Sequence, residues 1–447
     1  MKSRRKFIKS SLLGLTAITF PNIITANINQ NYDVVVIGAG AAGLAATTEL
    51  RRQGGKSVIC LEASNRIGGR AWTDNTIFNK PYDAGAMWIE NGESSPFIKF
   101  AKKNSKFKIY KERSTASEIY SVYDGNKIAK NENELWKIYD SAQASIASTR
   151  KDVSPIEVVQ NQDSPWFNTA HMLVGPWEMG KDFSDYSCKD FNFDYDVEYS
   201  GTYHCEQGYG ALVNEMYKDV PVDLNTNVKE IDWSGKGVKI VTGKGTISAK
   251  KCIITVSNAI LSSEKIKFTP KLSPEKQEAF SKISLGHYNR VALEFKKLFS
   301  KKAHDSYLYY KVKTDSMGSP KGVGITINPS KSKLCFCDFG GKFGLEISKE
   351  GSEAAIDFAL NELINIYGSK IKKDLVGSHF ADWSSNQFIQ GAWASAEPGA
   401  FKYREILKEP VAEKIYFAGE ATARDWGTVG GAADSGTQEA REIINSQ

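Results

Sequence analysis

Three glycines in the pattern Gly38-x-Gly40-x-x-Gly43, an acid at Glu62 and the run Arg66-Ile67-Gly68-Gly69-Arg70 are the residues of this 447-residue chain whose types and spacing point most directly to chemistry. Glycines at that spacing give a tight turn, let backbone approach a pyrophosphate and let a helix pack closely on a strand. The N–H groups that open the helix, at Ala41 and Ala42, then face the phosphates. Glu62 follows Gly43 at the distance where an acid takes the ribose hydroxyls of an adenosine, with Ala63 beside it. Gly69 lets the chain crowd a diphosphate, and Arg70 can hold it with a bidentate fork.

These residues need particular elements to position them. The apolar run at 32–37 predicts a buried parallel strand, 41–53 a helix and 57–62 a second strand. Such a unit binds a dinucleotide but does not by itself separate NAD from FAD. Farther along, VDLNTNVKEIDWSGKGVKIVTGKGTISAKKCIITV reads as short strands separated by Asn-Thr-Asn, Ser-Gly-Lys-Gly and Gly-Lys-Gly turns. Near the C-terminus, IYFAGEATARDWGTVGGAADSGTQEAREII reads as a strand, a turn at Gly419-Glu420, a glycine-rich stretch and a terminal helix.

The run from Glu62 through Arg66 to Gly68-Gly69-Arg70 resembles the E-x-x-x-R-x-G-G-R signature of the flavin amine oxidase family, and the resemblance continues through most of the chain after residue 31. It implies a two-domain α/β flavoprotein, with a Rossmann-like FAD domain built on a parallel sheet and an interleaved α+β substrate domain. The FAD domain would comprise 31–90, 204–265 and 409–447, the substrate domain 91–203 and 266–408, after a leader and linker at 1–30. By the same resemblance Gly85, Ala86, Met87 and Trp88 lie along the flavin and the Val228 backbone meets the adenine. Gly419, Glu420, Thr428 and Val429 complete the site. VSNAIL departs from the family, which usually has proline after the valine.

Two stretches carry the expected reaction. LGHYNRVALEF resembles the family strand whose lysine holds a water near the flavin, and Arg290 takes that lysine's place. A guanidinium stays charged and forks onto carboxylates, so Arg290 either binds a carboxylate or a flavin edge, or weakens reaction with oxygen. QGAWASAEPG resembles the stretch supplying one aromatic cage wall, here Trp393, while the second wall falls on Thr428. Ala392 stands where some relatives bond a cysteine to the flavin, so the FAD is expected to be non-covalent. An amine reacts only with its nitrogen lone pair free, and an apolar wall favours the neutral amine by desolvation. The implied reaction turns an amine into an imine, then an aldehyde or ketone, with electrons passed to oxygen or another periplasmic acceptor. An L-amino acid oxidase would need a cationic clamp, for which Arg290 and Arg404 are the candidates. An exported flavoprotein without amine chemistry is the second alternative.

Composition narrows the classes further. Of the formal charge of +6, five charges come from Lys2, Arg4, Arg5, Lys6 and Lys9, and residues 1–26 hold no acid. The remainder is near neutral and shows no basic stripe, so no nucleic-acid partner is expected. SRRKFIK before a short apolar run looks like a twin-arginine signal, which sends folded, cofactor-loaded cargo through the twin-arginine export machinery to the periplasm. Ile24-Thr25-Ala26 gives an imperfect cleavage site, so an uncleaved tether stays open. Six cysteines lack a zinc spacing and five histidines are scattered, so no metal is expected. Cys188 and Cys205 could pair outside the cytoplasm. Residues 91–203 carry helical periodicity in their first half, then an aromatic run in which Trp166, His171 and Trp177 either line a pocket or pack in a core.

Overall fold

The computed structural model describes residues 24–27, 30–54, 56–112, 120–195, 201–298, 304–314 and 318–446, so the basic leader with its paired arginines lies outside the described residues. Two sheets organise the chain. The strand Asn31–Ile37 carries Val34, Val35 and Val36 with both faces covered, as a central parallel strand requires. Val58–Leu61 pairs parallel on one side of it and Gly245–Ile254 on the other. Val222–Asp223 and Ile415–Phe417 extend the parallel part, while Val238–Thr242 and Val228–Asp232 continue antiparallel. Chain pieces almost four hundred residues apart thus meet in one eight-stranded sheet.

The helix Ala41–Gly54 leaves the glycine turn directly. A Cβ on Gly43 would lie 1.9 Å from the Gly38 carbonyl oxygen, so only glycine lets this helix begin so close to the strand. The C-terminal helix Val429–Asn445 packs beside it, where a Cβ on Gly436 would lie 2.0 Å from the Ala42 carbonyl oxygen. Residues 24–27 run along the edge of the sheet: Ile24 N–H donates to Val222 at 3.1 Å and Ala26 N–H to the Asp223 carboxylate at 2.8 Å.

The dinucleotide layer recruits more chain than the segments 31–90, 204–265 and 409–447. Lys267–Thr269 pairs with Val228–Asp232 and forms that edge of the sheet, and Pro274–Lys282 and Tyr403–Lys408 bury Phe280 and Leu407 in the same core. Pro96–Lys102 places Phe97, Ile98 and Ala101 in the cluster that contains Leu44. Short amphipathic pieces take whichever sheet face leaves their apolar side dry, which motif boundaries do not record.

The second sheet runs Leu375–Ala381, Tyr288–Phe295, Leu334–Gly340, Gly324–Ile327, Ser306–Tyr310, Tyr120–Asp124 and Lys127–Ile128. In the first half of 91–203 the helical periodicity falls on Pro96–Lys102 and on Glu132–Ser148, which buries Leu135, Ile138, Ala142 and Ile146, and strands lie between them. Tyr120–Asp124 and Lys127–Ile128 form a hairpin on Gly125-Asn126, with Gly125 at φ +64°, and Ile109–Lys111 pairs with Tyr203–Cys205. Alternating Tyr and Val with a Gly-Asn turn suits a strand. All six cysteines are buried free thiols, and the pairing of Cys188 with Cys205 does not form because they sit in separate cores.

Candidate active site

A cavity of about 1500 Å³ opens where the two layers meet. Gly38, Gly40, Ala41, Ala42, Glu62, Ala63, Gly69, Arg70, the loop Gly85 to Trp88, Val228, Gly419, Glu420, Thr428 and Val429 all line it, and Gly43 packs beneath. The phosphate end is a cradle of bare backbone. A Cβ on Gly40 or Gly419 would meet no protein atom closer than 4.0 Å and would instead enter the space a dinucleotide fills. Glu62 reaches that space from the end of its strand, oriented by N–H donors from Ala39 at 2.8 Å and Ser64 at 2.8 Å.

Charge at this end also suits a dinucleotide. Arg66, which the motif displays but sequence reasoning gave no role, lies over the Trp72 ring at 4.8 Å and donates to the Ile67 carbonyl at 3.2 Å. Burial lowers its guanidinium from the ordinary range, and a nearby phosphate would reverse that cost. Arg70 donates to Glu420 at 2.8 Å and also to the Ala392 carbonyl. Glu420 in turn accepts from the N–H groups of Ala394 at 3.2 Å and Gly427 at 3.2 Å, so one carboxylate ties three chain segments around the cavity.

The opposite end is aromatic. Trp393 packs against Tyr288, with ring centroids 5.1 Å apart and a 45° tilt, and both line the cavity. Trp88, Trp136, Trp177, Tyr307 and Tyr309 continue the wall. Trp177 arrives through a π-helical turn at Leu173–Trp177, where Pro176 cannot donate to the helix and the backbone widens. It therefore reaches the cavity, whereas Trp166 packs in the core. His171 also stays in the core, stacked on Phe183 at 4.1 Å, and burial holds its imidazole down to about 3.

Three further carboxylates line the cavity, those of Glu90, Glu112 and Glu178. Trp88 Nε1–H donates to the Tyr307 hydroxyl at 3.2 Å, that hydroxyl donates to Glu112, and His204 Nε2 lies 3.3 Å from the same oxygen. Burial, then the Glu112 charge, raises the Tyr307 phenol well above its ordinary value, so it remains a proton donor. Nothing in the local sequence around Glu112 or Glu178 marked them, because their meeting depends on the fold of the segment 91–203.

The three positions expected nearest the reaction have distinct surroundings. Arg290 is buried in mid-strand and forks onto Asp338, Nε to Oδ1 at 2.7 Å and Nη2 to Oδ2 at 3.0 Å. Burial alone would lower its guanidinium, but the Asp338 carboxylate raises it overall. Thr428 lines the cavity, and its hydroxyl caps the C-terminal helix by accepting from Gly431 N–H at 2.8 Å. A cavity-lining indole lies two residues earlier, at Trp426, whose ring covers the Arg404 guanidinium at 4.8 Å. Arg404 itself is consumed by Asp190, at 2.7 Å through Nη2, and by the Ala421 carbonyl at 2.8 Å.

A parallel sheet with a glycine cradle at its strand ends, opening into an aromatic chamber, defines a dinucleotide-binding flavoprotein. Residues 41–137 and 104–444 match the family described as flavin containing amine oxidoreductase, and the chain belongs to it. Its cofactor is accordingly FAD, which the cradle fits. Lysine-specific histone demethylase 2 of Homo sapiens is 25% identical over 450 residues, covering 93% of this chain and 53% of the relative. For a demethylase homologue of Arabidopsis thaliana the chain spans 30% of the relative's length. Polyamine oxidase 4 of Oryza sativa subsp. japonica is 26% identical, covering 92% of this chain and 88% of the relative. A solved putrescine oxidase double mutant superposes with a TM-score of 0.74 at 20% identity over 93% of this chain and 99% of its own. Cyclohexylamine oxidase from Brevibacterium oxydans gives 0.73 at 19% identity. At those identities the superpositions speak for the fold.

Proposed function

We propose that this chain is an FAD-dependent amine oxidase or dehydrogenase whose substrate carries a second cationic group, as a diamine or polyamine does. The observation that carries the reading is a single cavity joining a dinucleotide cradle to a wall of tryptophans and tyrosines, with the carboxylates of Glu90, Glu112 and Glu178 also in its lining. Bound FAD supplies the acceptor for the hydride lost from the carbon next to nitrogen. Trp393 and Tyr288 form a wall that desolvates the reacting nitrogen and so favours its neutral form, while the ring faces still attract the incoming cation. Glu112, held by Tyr307, binds the distal ammonium and fixes the substrate's reach. The names of the polyamine oxidase and putrescine oxidase relatives support the same substrate class.

For the L-amino acid reading, both candidate clamps are engaged elsewhere. Arg290 spends its fork on Asp338, and Arg404 spends its own on Asp190 outside the cavity lining. With its basic leader, the protein is proposed to be loaded with FAD in the cytoplasm and exported folded to the periplasm, where oxygen or another acceptor takes the electrons. The test is anaerobic bleaching of the flavin by diamines, polyamines, monoamines and L-amino acids. Fast bleaching by the dicationic amines is expected. Bleaching by none of the amines would overturn the reading and leave a flavoprotein without amine chemistry. Air admitted afterwards separates an oxidase from a dehydrogenase.

A further inference from the structure

Asp338 belongs to no motif, yet its carboxylate stands between the two parts of the site. It lies on Leu334–Gly340, directly across the sheet from Arg290, and is 2% exposed. Oδ2 accepts from the Tyr288 hydroxyl at 2.9 Å as well as from Arg290, which also occupies Oδ1. One arm of this junction runs through Arg290, whose Nη1 leaves the sheet and donates to the backbone carbonyls of Asp83 at 2.9 Å and Gly85 at 3.3 Å. Those carbonyls belong to the loop leading into Gly85, Ala86, Met87 and Trp88 on the cavity wall. The other arm runs through Tyr288, whose ring supports Trp393.

We propose that Asp338 is a positioning residue that sets the cofactor-side loop and the aromatic wall relative to one another. A guanidinium alone could swing between carbonyls. Pinned by two oxygens of a buried carboxylate, it presents Nη1 to the loop in one orientation. The same carboxylate fixes the Tyr288 ring, and with it the plane of Trp393, so loop and wall share one anchor. The wall arm rests on the proposed amine oxidation. The loop arm rests on FAD binding alone, so the two can fail separately.

Three substitutions divide the junction. Arg290→Lys keeps the charge but cannot bridge carboxylate and loop together. It is expected to weaken FAD binding about tenfold, measured by fluorescence titration of the apoprotein. Tyr288→Phe removes only the wall arm. FAD affinity is expected to stay within about twofold, while anaerobic flavin reduction slows about tenfold. Asp338→Asn is expected to show both losses, and the Asp338→Asn/Tyr288→Phe double variant to reduce no more slowly than Asp338→Asn alone. Additive effects in that cycle, or normal FAD affinity in Arg290→Lys, would overturn the proposal. If Asp338→Asn does not fold, the two outer variants still test each arm. If no amine reduces the wild type, the affinity measurements still test the loop arm.

Discussion

Glu112→Gln is the substitution that most directly tests how this cavity chooses its substrate. Removing the charge while keeping the shape should raise KM for a diamine about tenfold and leave a monoamine nearly unaffected, as steady-state kinetics on both would show. The tyrosine relay predicts the same direction for Tyr307→Phe, with a smaller effect, because the carboxylate stays but loses its donor. At this scale the sequence was uneven. Gly38, Glu62, Arg70 and Trp393 stood in motifs that the cavity brings together. Glu112 and Asp338 stood in none, since an acid looks like any other acid until its neighbours are known, and Trp426 lay in the C-terminal stretch without being singled out. Arg290 was conspicuous by its type, and its partner Asp338, across the sheet, was not legible.

The packing of whole elements sets a second group of expectations. Gly436→Ala would drive a methyl into the Ala42 carbonyl and pry the C-terminal helix from the glycine-turn helix. A stability loss of about 2 kcal/mol or more is expected from such overpacking, with FAD affinity falling alongside, since both helix starts border the cradle. The same C-terminal helix carries Glu439. Burial, then repulsion from Glu442, raises its carboxyl from an ordinary 4.5 to about 7, and its Oε2 has no hydrogen-bond partner among the described residues. The unfolded chain releases this proton near 4.5 while the folded chain holds it to about 7. The group's contribution to stability is therefore greatest at low pH and is lost as pH rises through that window. Glu439→Gln should melt above the wild type at pH 8, and the gap should shrink at pH 5; calorimetry at both values checks the sign. Legibility at this scale followed periodicity: the helix and strands around the glycine turn were evident, whereas the short hairpin at 120–128 lay inside a segment read as helical in its first half.

Across the whole molecule, the cavity is lined by segments from residue 37 to residue 432, so FAD should act as a staple between them. Stripping the flavin is expected to lower the melting temperature, and adding FAD at a hundred times its Kd should restore about 2.7 kcal/mol. Differential scanning calorimetry of apo and loaded protein measures this directly. Ala392 offers only a methyl where it lines the cavity, so acid precipitation should leave all the flavin in the supernatant. The sequence by itself determined the dinucleotide cradle, because glycines and an acid at short fixed spacings are imposed by one strand–turn–helix unit, whereas FAD and the place of Trp393 were implied by the family resemblance. Only the tertiary structure decided which carboxylates enter the chamber, which arginines are already spent and how far the FAD layer reaches into neighbouring segments. These are contacts between residues distant in sequence, set by which faces of the two sheets meet, and no local spacing encodes them.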